Sequence, residues 1–230
     1  MKSIKLGCRI VCGFFALSTT FAQADEVMLQ GFDPVQAGPA SAYSEAKKDP
    51  QASHYLDALI HNNADPVTGN MQAKVMIVEF YDYRCSHCVA MSAVLHNLIN
   101  SHANVLIVYK EYPIRGKLSL YCAKAALAAK NQGKFLELHY AMMNADTLDE
   151  KKVLAIAKSL GMDMDKFQAD MASAAIEDSI RSNYQLGHNL RIEGTPTMYI
   201  VPATAAESPY LISGEVEPAY LQNLVNRLGH

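Results

Sequence analysis

Hydrophobic positions along this chain fall into three regimes. From Ile10 to about Phe21 they form one stretch behind the basic residues Lys2, Lys5 and Arg9. Over 74–81 (KVMIVEFY) and 105–109 they form short, partly β-branched runs, the pattern of strands buried on both faces. Between those runs Met91, Val94, Leu95, Leu98 and Ile99 recur at helical spacing. Strand, helix and strand in that order predict a βαβ unit. Residues 119 to about 190 keep the helical pattern and contain no convincing strand. An alanine-rich helix is predicted at 121–130, amphipathic helices at 136–143 and 153–160, and a short helix at 164–171 after Gly161. Strands return at 197–201 and 210–213, and a helix closes the chain at 218–228.

Ahead of the first strand the pattern is sparse. Residues 25–50 carry Gly31, Pro34, Gly38, Pro39 and Pro50 with few large apolar residues, and read as an extended arm. Asp49 followed by Pro50 reads as an N-cap and first helical position. Tyr55, Leu56, Leu59 and Ile60 share one helical face, and Asn62, Asn63 and Asp65-Pro66 close that helix.

The N-terminal stretch has the three parts of a signal peptide: a basic start, a short apolar run, and small residues at Ala22-Gln23-Ala24. Residues 1–24 are expected to be removed by cleavage near Ala24, which makes the protein periplasmic or otherwise exported. The apolar run is short for a bilayer span, and a retained anchor is the alternative. Composition, with 50% hydrophobic and 19% charged residues in 230, is that of an ordinary globular chain. Cleavage would take three basic residues and no acidic one, moving the formal net charge from −3 to −6. With no basic stripe, nucleic acid is not an expected partner. Cleavage would also take Cys8 and Cys12, leaving Cys85, Cys88 and Cys122. That is too sparse for a disulfide scaffold.

The close pair Cys85-Ser86-His87-Cys88 follows a buried strand and opens a helix. There the free backbone N–H groups and the helix dipole favour an anion, so the first cysteine can be a thiolate near neutral pH. Cys88, one turn further in, can resolve a mixed disulfide. Ser86 and His87 tune the pair, and a His87 that donates to the Cys85 thiolate would stabilise the reduced form and make the disulfide more oxidising. A zinc site would need about four ligands, and beyond Cys122 there are only scattered histidines, so no metal is expected. A purely structural disulfide is the other alternative, although so short a loop constrains little. Cys122 falls with Ala125, Ala126 and Ala129 on a small-residue face and is expected to be buried. Gly194-Thr195-Pro196-Thr197 precedes an apolar strand, where Pro196 suits a strand start and can be cis.

Taken together, 78–88 (VEFYDYRCSHC), the helical segment 116–190 and Gly194-Thr195-Pro196-Thr197 resemble the DsbA-like branch of the thioredoxin superfamily. The resemblance implies an α/β thioredoxin fold with an inserted helical domain and an N-terminal extension. The extension would be 25–72, the thioredoxin-like domain 73–115 with 191–230, and the insertion 116–190. It implies that Cys85 attacks, that Pro196 is cis and faces the sulfurs, and that Thr195 and Pro196 hold the substrate chain. Glu79 stands where the family keeps a buried acid, six residues before the first cysteine; such a carboxyl has a raised pKa and could move a proton at Cys88. Lys110 on the neighbouring predicted strand is its expected partner.

The implied function is an exported thiol:disulfide oxidoreductase acting on unfolded or partly folded exported proteins and recycled by a membrane redox partner. A homodimer through the extension is a further implication. No cofactor is needed, because the cysteine pair is the redox group. The Ser-His dipeptide and the threonine before Pro196 differ from the best-known oxidase, so oxidase and isomerase roles both stay open. A chaperone or surface-binding protein without turnover is the alternative.

Overall fold

The computed structural model describes residues 43–101, 104–204 and 207–229. The expected signal peptide, its cleavage site at Ala24 and the arm through residue 42 lie outside the described residues.

The described chain opens with β1 (Lys47–Lys48), a 3-10 helix (Pro50–Tyr55), α1 (Leu56–Ile60) and β2 (Val67–Gly69). Then β3 (Val75–Tyr81) leads through a short turn into α2 (Ser86–Ser101) and β4 (Val105–Glu111). A purely helical stretch follows: α3 (Lys117–Lys130), α4 (Phe135–Met143), α5 (Glu150–Ser159), α6 (Met164–Met171) and α7 (Ala174–Asn189). Side-chain oxygens of Asp149, Asp163 and Ser173 accept from backbone N–H groups at the starts of α5, α6 and α7, which fixes where those helices begin. The chain returns to the sheet with β5 (Thr197–Pro202) and β6 (Tyr210–Ser213), and α8 (Pro218–Leu228) closes it. This is a thioredoxin-like fold with a helical insertion between β4 and β5.

The six strands run in the order β1-β6-β5-β3-β4-β2. Only β3 and β4 are parallel among the described pairs; the others are antiparallel. Every residue of β4 and all of β3 except the half-buried Met76 are buried. Helices on both faces require that, and they explain why these two strands read as continuous apolar runs. The topology also builds the site. Phe80, near the end of β3, pairs with Thr197 at the start of β5. The turn after β3 and the loop before β5 therefore emerge at the same end of the sheet.

Three local readings are corrected. The expected helix after Asp49 is a 3-10 turn followed by a short α-helix, although Asp49 does cap it, accepting from Gln51 and Ala52 N–H. The extension also contributes β1 and β2, which the hydrophobic pattern did not reveal: two and three residues are too few to show a period, and pairing with β6 and β4 supplies their order.

The third correction concerns Lys110, which does not partner Glu79. In the β3–β4 register Glu79 lies opposite Tyr109, and Phe80 opposite Lys110. Side chains alternate faces along a strand, so Lys110 and Glu79 leave on opposite sides of the sheet. The Lys110 ammonium instead donates to the Asp65 carboxylate and, at 2.6 Å, to the Ala58 carbonyl. Lys110 is 0% and Asp65 3% exposed, so the pair is a buried clamp between the extension and β4. Burial pushes Asp65 up and Lys110 down, and their mutual attraction opposes both shifts.

Removing one partner of a buried ion pair strands the other. Lys110→Met is expected to lower stability in urea unfolding by roughly 3–5 kcal/mol. The double variant Asp65→Leu/Lys110→Met is expected to regain most of that loss, because no charge is left without a partner.

Candidate active site

Asp82 shapes the turn that carries the cysteines. Its carboxylate accepts from Arg84 N–H at 2.7 Å, Ser119 hydroxyl at 2.8 Å and Arg115 N–H at 2.9 Å, while its carbonyl accepts from Cys85 N–H at 3.1 Å. One buried side chain thus ties the turn after β3 to the 112–116 loop and to the start of α3. An aspartate two residues before the amide it accepts from is the pattern of an Asx turn. Burial holds its pKa up against those donors.

Cys85 occupies the N-cap position of α2: its carbonyl accepts the first helical bond, from Val89 N–H at 3.0 Å. The unpaired N–H groups of the first turn therefore face its sulfur. Sγ of Cys85 donates to the Thr195 carbonyl at 3.1 Å, and Nη2 of Arg115 lies 3.9 Å from it. A hydrogen bond from Cys88 makes the largest contribution to lowering the Cys85 pKa. Burial opposes it; Thr195, the Cys88 backbone N–H and the Arg115 charge add to it, and the thiol falls from 9.0 to about 5. Thr195 Oγ1 is buried with no protein partner in this dithiol arrangement, which leaves its hydroxyl free to donate to a thiolate. The Thr195–Pro196 peptide is cis, and Pro196 O accepts from Gly214 N–H at 2.8 Å.

Cys88 is shifted the opposite way. It is fully buried, and burial, the hydrogen bond and charge of Cys85, and Glu79 all push its pKa well above 9.0. Glu79 is 1% exposed, its Oε1 has no hydrogen-bond partner, and burial followed by the Cys85 charge raises its pKa to about 8. It is mostly protonated at neutral pH, and it lies near enough to be coupled electrostatically to both sulfurs.

Ser86 is exposed at the first position of α2. His87 is half-buried, and the hydrogen bond it makes runs from Nδ1 to Glu215 Oε1 at 2.5 Å. The sulfur of Cys85 is not among its partners. Cys122 on α3 is buried, with burial and then Glu111 raising it to about 12.

Sequence reasoning missed four contributors. Arg115 and Glu215 come from loops remote in sequence and carried no local signal, whereas the Asx pattern at Asp82 was readable. The fourth is a buried polar cluster behind the turn. Tyr81 OH donates to Glu111, Tyr83 OH lies 3.0 Å from His139 Nδ1, and Ser92 Oγ lies 3.5 Å from His139 Nε2. His139 on α4 thus bridges the cysteine turn and α2, and burial lowers its pKa to about 3, so it does so as a neutral ring.

Comparison with known proteins is consistent with this geometry. A family described as "DSBA-like thioredoxin domain" matches residues 76–225. A thioredoxin-like oxidoreductase from Silicibacter pomeroyi is 36% identical, with a TM-score of 0.68 over 75% of this chain and 96% of that one. The thiol-disulfide exchange protein alpha-DsbA2 from Wolbachia pipientis is 29% identical, with a TM-score of 0.68 over 77% of this chain and 94% of that one. Among curated proteins, the Na(+)/H(+) antiporter NhaA 3 of Salinispora tropica is 27% identical over 139 residues, which is 59% of this chain. The chain spans about a fifth (21%) of that antiporter's length. Among the described residues no helix is long and apolar enough to cross a membrane.

The raised pKa of Glu79 has a measurable consequence. The unfolded chain ionises this carboxyl from about 4.5 upward and the folded chain only from about 8, so the penalty for keeping it buried grows between those values and is absent below them. Glu79→Gln is expected to match the wild-type stability near pH 4 and to exceed it by roughly 3 kcal/mol at pH 7 in denaturant titrations.

Proposed function

The chain belongs to the DSBA-like thioredoxin domain family, and from that premise we propose that it is an exported enzyme that exchanges disulfides with unfolded or partly folded proteins through Cys85 and Cys88. The observation that carries this reading is the opposition of two neighbouring thiols, one held by its donors at about 5, the other pushed well above 9.0.

That opposition suits each step. In the oxidising direction a client thiolate attacks Sγ of Cys85 in the Cys85–Cys88 disulfide. A client–Cys85 disulfide forms, the Cys85–Cys88 bond breaks, and Cys88 leaves with the electron pair. Cys88 is a poor anion where it sits, so it takes up a proton, and Glu79 is the adjacent acid. A second client thiolate then attacks the client sulfur, the client disulfide forms, and Cys85 leaves as the stable thiolate. The client has lost two electrons and the pair has gained them. In the isomerising direction the Cys85 thiolate attacks a client disulfide and is released when another client thiol attacks the mixed disulfide, with no net redox change. Thr195 and Pro196, beside Cys85, hold the client chain by backbone contacts. A membrane redox partner reoxidises or rereduces the pair. The basic start, apolar run and Ala22-Gln23-Ala24 of residues 1–24 support export, and an oxidising compartment is where such exchange operates.

Cys88→Ser removes the resolving thiol and is expected to accumulate a Cys85–client mixed disulfide, visible as a reducible higher-mass species. Cys85→Ser is expected to form none. Wild-type protein is expected to reduce insulin or to refold scrambled ribonuclease. A chaperone without turnover would do neither, and that result would replace this reading.

A further inference from the structure

His87 sits between the two cysteines, yet the sulfur of Cys85 is met by Cys88 and the Arg115 guanidinium and itself donates to the Thr195 carbonyl, and the imidazole is not among its partners. The ring is turned to Glu215, with Nδ1 and Oε1 2.5 Å apart. Glu215 lies in the loop between β6 and α8, far from the cysteines in sequence.

The loop that presents Glu215 is fixed on three sides. Gly214 N–H donates to the Pro196 carbonyl at 2.8 Å, joining it to the cis-proline loop. Val216, 1% exposed, places its N–H 3.5 Å from Sδ of Met91, a buried residue of α2 itself. Ser44 N–H donates to the Glu215 carbonyl at 2.8 Å, and the Ser44 hydroxyl donates to the Ser213 carbonyl. Gly214 takes a φ of +95°, a conformation open to glycine, to make the turn. The carboxylate is therefore pre-placed, and a half-buried, charge-assisted bond to it competes with any bond from His87 to the sulfur.

We propose that Glu215 is a positioning residue that holds the His87 imidazole away from Cys85 and so keeps the pair less oxidising than a free histidine in the motif would make it. A histidine released toward the sulfur would add a donor to the thiolate and favour the dithiol over the disulfide. The sulfur would then have two nitrogen donors beside it, Arg115 and His87, rather than Arg115 alone. Glu215 in this way biases the enzyme toward reduction or isomerisation of clients rather than their oxidation. The inference rests on the exchange function proposed above.

The test is equilibration with glutathione, in which the Cys85–Cys88 disulfide and two glutathione thiols give the dithiol and one glutathione disulfide. Glu215→Ala is expected to shift that equilibrium about tenfold toward the dithiol, an upward change of ~30 mV for a two-electron couple. In a His87→Ala background the same substitution is expected to change it by less than about twofold, the signature of an effect that acts through the ring. Glu215→Gln, which keeps the side-chain shape and removes the charge, is expected to move it in the same direction by less, and it serves if the alanine variant folds poorly. No shift, a shift toward the disulfide, or a shift that persists without His87 would overturn the proposal. A wild-type pair that fails to equilibrate with glutathione at all would overturn the exchange reading instead.

Discussion

A sulfur anion needs donors, and the fold concentrates them on Cys85. The sulfur stands at the open end of α2, where the first backbone N–H groups have no partner inside the helix. Cys88, Thr195 and the Arg115 guanidinium complete its surroundings. Each of those groups comes from a different part of the chain. Asp82 holds the turn and the Arg115 loop together, and the antiparallel run of β5 beside β3 brings Thr195 and Pro196 to the same end of the sheet. The central strands owe their burial to helices on both faces, and the β3–β5 pairing sets where the donors stand.

Both cysteines are buried, and their partners set them apart. Cys88 lies one turn deeper with Glu79 behind it, and both are held in their uncharged forms. An exchange enzyme needs one thiol that is easily ionised and one that returns the bond, and donors gathered on Cys85 but not on Cys88 supply both. The helical insertion contributes from behind. His139 on α4 reaches Tyr83 in the cysteine turn and Ser92 on α2, so the insertion is coupled to the chemistry through a neutral ring in an apolar setting. The N-terminal extension contributes from the other side, through the buried Lys110–Asp65 clamp and the Ser44 contact with the loop that carries Glu215.

Much of this was legible in the residues. The runs that became β3 and β4, the helical spacing of Met91, Leu95 and Leu98, the Asp49 cap and the long helical stretch before Thr195 each rest on local pattern, and local pattern is what a sequence displays. What was not legible depends on register or on distant loops. Glu79 and Lys110 stand on adjacent strands, and only the β3–β4 register, which puts Tyr109 opposite Glu79, shows that they leave on opposite faces. His87 looks like a neighbour of Cys85 because it lies two residues from it in the chain; its turn toward Glu215 follows from a loop more than a hundred residues away. Strands as short as β1 and β2 have no periodicity of their own and exist because β6 and β4 offer edges to pair with.

The central claim is that Cys85 carries negative charge at neutral pH while Cys88 does not, and the most direct measurement of it is the ultraviolet thiolate absorbance of the fully reduced protein across a pH series. A single step near pH 5, amounting to one thiolate, is the result this account predicts. A first step near pH 9, where an ordinary cysteine ionises, would contradict it.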